Sequence, residues 1–261
     1  MPAALACLPW FTLLLAAPQS SADKRSPGWS LWQQGQQALQ DGKTDRAIDL
    51  FEESIATDPK LTRNYLSLAA CHLDRGDDAR ACLYLMLYVS SHPEHRAVRL
   101  QYADLLQRLK RIGEARDELE SCIADVQEDA APADEELVQC HSRLMEIGEK
   151  TENAYEEHLH RGIGLLLLSR QPRLPDDDPD MLCPQGLLCK AAAELALAAR
   201  EKPDEARPQL YLHQVWSKLA QSHPAGRSLR AATSAAPFSY LTPAEKSQLQ
   251  LAQRLHEHPG K

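Results

Sequence analysis

Apolar and polar residues follow each other along most of the chain with the period of amphipathic helices. Between Trp32 and Ile55, apolar residues recur at helical spacing in two stripes, which Gly42 separates. Residues that favour helices, such as Ala, Leu, Glu and Gln, dominate the sequence, and aromatic residues make up only 5% of it. The pattern therefore predicts an all-α fold in which helices pair through tight turns.

A 34-residue step organises the first half of the chain. It separates glycine, proline and alanine positions alike: Gly42 and Gly76, Pro59 and Pro93, and Ala47, Ala81 and Ala115. This spacing suits a helix, a turn at the glycine, a second helix, and a proline-marked turn into the next unit. Repeats of this length are typical of stacked helical hairpins.

The repeat resembles the tetratricopeptide repeat family, which carries small residues at two helix crossings, a glycine at the turn and a closing proline. The first unit matches best, over the stretch GQQALQDGKTDRAIDLFEESIATDP. The second keeps the same kinds of residue, whereas the third has Lys110 in place of the turn glycine and Gln127 in place of the proline. The resemblance implies an α-α superhelix, or solenoid, of antiparallel helix pairs.

Weaker patterns divide the rest of the chain. The 34-residue step returns between Ala191 and Ala225, and the segment Thr242 to Glu245 has the form of a capping box that opens a last helix. The predicted division is a signal peptide at 1–22, three repeat units at 28–127, a degenerate helical pair at 128–171, an acidic proline-rich loop at 172–184, two fainter repeat-like units at 185–239, and a capping helix at 240–257. The helices at 134–168 leave the number of helices uneven, so how they join the two repeat blocks stays open.

The N-terminus has the features of an export signal. The first 22 residues carry no charged side chain, and the apolar run from Ala3 to Ala17 is too short to span a bilayer. Small residues at 20–22 precede the charged Asp23, which predicts cleavage near Ala22. We expect a secreted or periplasmic protein that has no membrane attachment after cleavage.

The net charge and the cysteines give further expectations about nucleic-acid binding and disulfides. The formal net charge of −8 gives no support to nucleic-acid binding. Cys71, Cys82 and Cys122 lie at apolar helical positions, where cysteine often serves as a small hydrophobic residue. Cys183 and Cys189 bracket the start of a helix and are candidates for a disulfide, which an exported chain permits.

No group of residues in the sequence indicates a catalytic, cofactor or metal site. His158 and His160 point to different faces of a helix, and His92 and His95 flank a proline beside Glu94 with no third ligand nearby. Alternating aspartates in the acidic loop resemble the start of a calcium loop, but the glycine and the glutamate that such a loop requires are missing. We therefore expect no cofactor, no metal and no enzymatic activity.

The resemblance also implies where a partner would bind. Stacked repeats line a concave groove with their first helices, and ligand peptides of the family lie there. The groove-facing positions would be Trp29, Trp32, Gln36, Leu39, Arg63, Leu66, Ala70, Leu100, Asp104 and Gln107. Some members grip an acidic chain terminus with Lys, Asn and Arg, but the corresponding positions here include Trp32 and Gln36, so an apolar or mixed peptide is expected.

Two functions remain open at this point. The first is a non-catalytic scaffold that binds a protein or peptide in this groove, in the periplasm or outside the cell. The alternative is a structural or accessory subunit of an envelope or secretion complex, which docks through the apolar helix at 163–168. Trp29 and Trp32 also allow a second interpretation, in which they cover the open end of the stack. Neither the partner nor the oligomeric state follows from the sequence.

Overall fold

The computed structural model describes residues 26–125, 135–170 and 183–257. These residues form twelve α-helices and a short 3-10 helix, and they contain no strand. The helices are α1 (Trp29–Gln40), α2 (Thr44–Thr57), α3 (Arg63–Asp74), α4 (Asp78–Ser91), α5 (Arg96–Arg108), α6 (Ile112–Ala124), α7 (Glu135–Lys150), α8 (Ala154–Leu168), α9 (Pro184–Glu201), α10 (Ala206–Lys218), α11 (Ser222–Ala235), the 3-10 helix (Ala236–Phe238) and α12 (Pro243–Glu257). The predicted all-α fold of antiparallel helix pairs is confirmed. The predicted signal peptide and nearly all of the predicted acidic loop lie outside the described residues.

The chain divides into two compact units, with the boundary after Ala115. Unit 1 contains α1 to α5 and the start of α6, and unit 2 contains the rest of α6 and α7 to α12.

Among the helices of these described segments, we find none that is both long and apolar enough to cross a membrane.

Five tight turns join helices in the same way. At the first, the Gly42 N–H donates to the carbonyl of Leu39 at 2.9 Å, and the N–H of the next residue donates to the carbonyl of Ala38 at 2.8 Å. The same two bonds recur around the other four turn residues, and the central residue always has a positive φ: Gly42, Gly76, Lys110, Glu152 and Ala220. This Schellman arrangement reverses the chain and satisfies carbonyls at the end of the first helix.

Lys110 occupies a turn position that favours glycine. Its φ of 61° lies in the left-handed region, which costs a residue with a Cβ about 1 kcal/mol. We expect Lys110→Gly to raise the free energy of unfolding by roughly 0.5–1 kcal/mol in urea titrations, because the side chain is exposed and only the backbone strain changes. Gly42→Ala, at an equivalent turn, should lower it by a similar amount. Equal stability of all three proteins would contradict this role of φ.

Small residues let paired helices approach closely. A Cβ at Gly35 would lie 2.5 Å from the ring of Phe51, which is fully buried on α2. Gly162 on α8 has the same relation to α9, since a Cβ there would lie 2.6 Å from Leu195 Cγ. Helices α8 and α9 therefore form a repeat-like pair, although residues 169–183 separate them in the sequence.

Helix α8 belongs to two pairs, which explains the uneven number of helices. It contacts α9 through Gly162, and it joins α7 through the tight turn at Glu152. The contact with α7 is equally close, because a Cβ at Gly148 would lie 2.6 Å from the backbone nitrogen of Glu157. Helices α7 and α8 thus share the tight turn of the regular hairpins, while α8 also packs closely on α9, and the next tight turn joins α10 to α11.

A capping box anchors α12 at the end of unit 2. The Glu245 N–H donates to Thr242 Oγ1 at 3.2 Å, and the Thr242 N–H donates to Glu245 Oε2 at 2.8 Å. The same carboxylate accepts from Arg207 Nε at 2.8 Å and from the Tyr211 hydroxyl at 3.0 Å, both on α10. The nearly fully buried Glu245 carboxylate therefore has hydrogen-bond donors for both of its oxygens. These bonds hold α12 against α10.

Candidate functional site

Part of the predicted groove comes together in unit 1 around two tryptophans. The rings of Trp29 and Trp32 stack with their centroids 4.7 Å apart, and the Arg63 guanidinium lies 5.2 and 4.7 Å from the two centroids. Ser67 Oγ accepts hydrogen bonds from Trp32 Nε1 at 3.1 Å and from Gln36 Nε2 at 3.0 Å. We call Trp29, Trp32 and Arg63 the tryptophan corner. Its contacts join α1 to α3, and both tryptophans stay half-exposed.

Three predicted groove residues do not reach the surface. Leu66, Ala70 and Leu100 have at most 3% of their surface accessible. The reason is that α3, which carries Leu66 and Ala70, and α5, which carries Leu100, are buried on most of their faces, so the assumption of one open face per first helix fails for both. A ligand could touch these side chains only by opening the core. The remaining predicted positions are half-buried: Leu39, Asp104 and Gln107.

Unit 2 contains a cleft of ≈ 270 Å³ whose walls come from α6, α10 and the segment before α12. We call it the unit 2 cleft and define it by its charged and aromatic lining residues: Asp117, Glu120, Arg207 and Tyr240. Tyr240 is 70% exposed, and Phe238, two residues earlier, is 87% exposed. Sequence reasoning missed both aromatic residues. The pattern that could have revealed them is two aromatic residues in the short segment between α11 and the capping box.

The unit 2 cleft has an acidic character. Asp117 and Glu120 line it, whereas its arginine, Arg207, already forms an ion pair with the buried Glu245 at 2.8 Å. Burial raises the pKa of Glu120, and the charge of Arg207 opposes that shift. The uncompensated charge of the lining is therefore negative, which suits a ligand with a basic side chain.

The geometry of the repeated hairpins identifies the fold of the protein. The hairpins at Gly42, Gly76 and Lys110 share one turn at a 34-residue step, and alanines on their second helices are fully buried. The described helices have the architecture of tetratricopeptide repeats. Helices α1 and α2 and helices α3 and α4 form two regular hairpins, the turn at Lys110 repeats their geometry after α5, and α8 forms a repeat-like pair with α9.

No known protein family and no curated protein matches the chain. Among solved structures, it is similar to a tetratricopeptide repeat protein from Parabacteroides merdae, at 12% identity and a TM-score of 0.43, with 88% of each chain covered. It is also similar to pilF of Pseudomonas aeruginosa, at 17% identity and a TM-score of 0.42, covering 90% of this chain and 99% of the other. A third is PilW, named as a type IV pilus biogenesis factor, at 14% identity and a TM-score of 0.41, with 90% and 100% covered. These similarities concern the fold alone.

The apolar run considered for docking belongs mainly to the core of unit 2. Ile163, Leu166 and Leu167 are at most 7% exposed and pack with residues of α9 and α10. Leu165 is partly buried against the same core, and Leu168 is 37% exposed. Because the repeat-like pair of α8 and α9 already uses this run, it offers little surface to a docking partner.

The candidate disulfide is absent from this structure. Cys183 and Cys189 are both exposed free thiols. Cys183 caps α9 and accepts a hydrogen bond from the Gly186 N–H, while Cys189 lies further along the same helix. Six residues of helix separate the two Cα atoms by about 9 Å. A disulfide tolerates at most about 7 Å, so the bridge cannot form while the first turns of α9 are intact.

The histidines of α8 have separate surroundings. His158 Nδ1 lies 2.7 Å from a carboxylate oxygen of Glu194 on α9. His160 faces the other way, and its Nδ1 lies 2.9 Å from that of His141 on α7. Both members of this second pair are at most 2% exposed, so they form a buried polar contact inside the repeat packing.

Proposed function

We propose that the protein is a non-catalytic scaffold, exported from the cytosol, that binds an extended segment of a partner protein in the unit 2 cleft. The observation that carries this proposal is the pair of exposed aromatic side chains, Phe238 at 87% and Tyr240 at 70%. Large aromatic residues contribute most to binding when a partner removes them from water. Tyr240 lines the cleft itself, so a ligand in the cleft would contact it.

The chemistry of the cleft indicates the kind of segment that it would bind. Asp117 and Glu120 favour a lysine or arginine side chain, and Tyr240 in the lining, with Phe238 two residues before it, favours an aromatic or aliphatic one. A mixed basic and apolar peptide therefore matches the lining better than an acidic chain terminus does. Export is supported by the uncharged apolar N-terminal sequence with small residues at 20–22.

A non-catalytic role agrees with the state of the buried nucleophilic and basic groups. Burial raises the pKa of the Cys71 thiol to about 12, which suppresses its reactive thiolate form at neutral pH. The imidazoles of His141 and His160 are buried against each other, so neither lies where a substrate could reach it.

The proposal can be tested with peptides selected by display of a random library on the immobilised protein. We expect the selected peptides to combine basic with aromatic or aliphatic residues. Phe238→Ala together with Tyr240→Ala should weaken their binding at least tenfold, about 1.4 kcal/mol, as measured by fluorescence anisotropy. The loss arises because both substitutions remove contact area without disturbing the core.

A matched control uses two other exposed apolar residues. Leu251→Ala together with Leu255→Ala removes side chains that are 57% and 61% exposed on α12 and that do not line the cleft. Binding should be unchanged in this variant. If Trp29→Ala abolished binding while the aromatic double variant bound normally, the site would instead be the tryptophan corner.

A further inference from the structure

The turn between α4 and α5 brings together three side chains with metal-binding atoms. His92 is the C-cap of α4, His95 is the N-cap of α5, and Glu94 lies between them. Glu94 Oε1 lies 3.3 Å from His92 Nδ1 and 3.7 Å from His95 Nε2, and all three ligand atoms are within 4.8 Å of one another. Two ligands that each lie about 2.05 Å from a tetrahedral zinc ion are about 3.3 Å apart, so the two distances from Glu94 are already close to the required spacing.

The outer nitrogen of each imidazole has a hydroxyl partner. Thr62 Oγ1 lies 2.7 Å from His92 Nε2, and Tyr88 Oη lies 2.6 Å from His95 Nδ1. Histidines that bind metal ions nearly always have their second nitrogen fixed in this way, because the outer bond sets the tautomer and the ring orientation. When the hydroxyl accepts the ring N–H, the lone pair of the other nitrogen is left on the side of Glu94.

The three groups are accessible to an ion from solvent. The two imidazoles are each 30% exposed and the Glu94 carboxylate is 63% exposed. The backbone of the segment is partly fixed as well, because Pro93 restricts its own φ and the ends of two helices hold His92 and His95. An ion could therefore bind without unfolding of the repeat, and water could occupy the fourth position.

We propose that His92, Glu94 and His95 form a binding site for Zn²⁺ or a chemically similar divalent transition-metal ion. Two imidazoles and one carboxylate are ligands that zinc prefers, whereas calcium and magnesium select oxygen ligands. The site joins α4 to α5, the last helix of the second repeat to the first helix of the third. Sequence reasoning found two histidines without a third ligand, and the folded turn supplies Glu94 itself.

The direct test is calorimetric titration of the full chain with zinc. Because thiols are good zinc ligands and Cys183 and Cys189 are exposed, the parent protein for this test carries Cys183→Ser and Cys189→Ser. We expect one zinc ion per chain, and at least a hundredfold weaker binding in His92→Ala and in His95→Ala. Cobalt bound at the same site should show the visible absorption of a tetrahedral ion. Unchanged zinc affinity in both histidine variants would overturn the proposal.

Two further sets of variants guard against nonspecific effects. Glu94→Gln preserves shape on an exposed turn and should still weaken zinc binding at least tenfold, while Tyr88→Phe removes an outer hydroxyl and should weaken it about tenfold. His158→Ala serves as the control, since it removes a histidine from a different His and Glu pair. An equal loss in His158→Ala and His95→Ala would show scattered surface binding and refute a defined site.

Discussion

Gly148→Ala is expected to lower the free energy of unfolding of unit 2 by about 3 kcal/mol, measured by urea titration. A Cβ at this position would lie 2.6 Å from the backbone nitrogen and 3.1 Å from the Cα of Glu157. These are backbone atoms of α8, which cannot rotate away as a side chain does. The two helices must separate to admit the methyl group, and the buried contacts of Leu144 and Ile147 on α7 weaken with them.

Gly164→Ala provides the matched comparison on the adjoining helix. The nearest atom to a Cβ at Gly164 is His141 Cβ at 4.0 Å, an ordinary contact distance. Alanine is favoured over glycine inside a helix by about 1 kcal/mol, so this variant should be as stable as the parent protein or more stable. If Gly148→Ala were stabilising as well, the close approach of α7 and α8 would be refuted.

Acidification from pH 7 to pH 5 is expected to lower the free energy of unfolding of unit 2 by about 4 kcal/mol, because unit 2 contains two buried histidines. His141 and His160 face each other, with one ring nitrogen donating and the other accepting across 2.9 Å. Burial lowers the pKa of His141 to about 3, and burial together with the charges of His141, Arg207 and Arg116 lowers that of His160 well below its usual value. Burial therefore opposes protonation of both imidazoles in the folded protein as the pH falls.

The direction of the effect follows from where the protons bind. In the unfolded chain both histidines take up protons as the pH falls below about 6.5, whereas in the folded protein they do not. Above about pH 6.5 the two histidines therefore cost the folded protein little. Below it, each histidine lowers the free energy of unfolding by about 1.4 kcal/mol per pH unit, down to its pKa in the folded protein. Over the 1.5 units between pH 6.5 and pH 5, this amounts to about 2 kcal/mol per histidine.

Urea titrations between pH 7 and pH 5 measure this slope. His141→Gln keeps a hydrogen-bonding partner for His160 but removes one ionisable group, so the slope should fall to about half. His223→Gln is the control, because His223 is exposed at the start of α11 and its removal should leave the slope unchanged. A full slope in His141→Gln would exclude the buried pair as the source of acid sensitivity.

Local features of the sequence determined the helices and the first turns. Apolar periodicity depends only on which face of a helix meets the core, and Gly42 and Gly76 supply a conformation that other residues adopt at a cost. The capping box at Thr242 and Glu245 is equally local, since its bonds join residues three apart. Lys110 shows the limit of this reasoning. Its turn has the same hydrogen bonds although the glycine is absent, because the helices on either side impose the reversal.

Only the tertiary structure decided what covers each helix face and which distant side chains meet. The pattern assigned Leu66, Ala70 and Leu100 to an open groove, but whether a face is open depends on neighbouring helices, and here the core buries them. The double pairing of α8 likewise depends on contacts of Gly148 and Gly162 with two different helices.

The candidate sites depend on such contacts even more strongly. Thr62 reaches His92 across 30 residues, and Tyr240 lines a cleft with Asp117 from a helix more than a hundred residues earlier. The period of a helix specifies which residues share one of its faces, not which residues of another helix lie opposite. The sequence by itself therefore determined the repeats, and packing between them decided where chemistry and binding can occur.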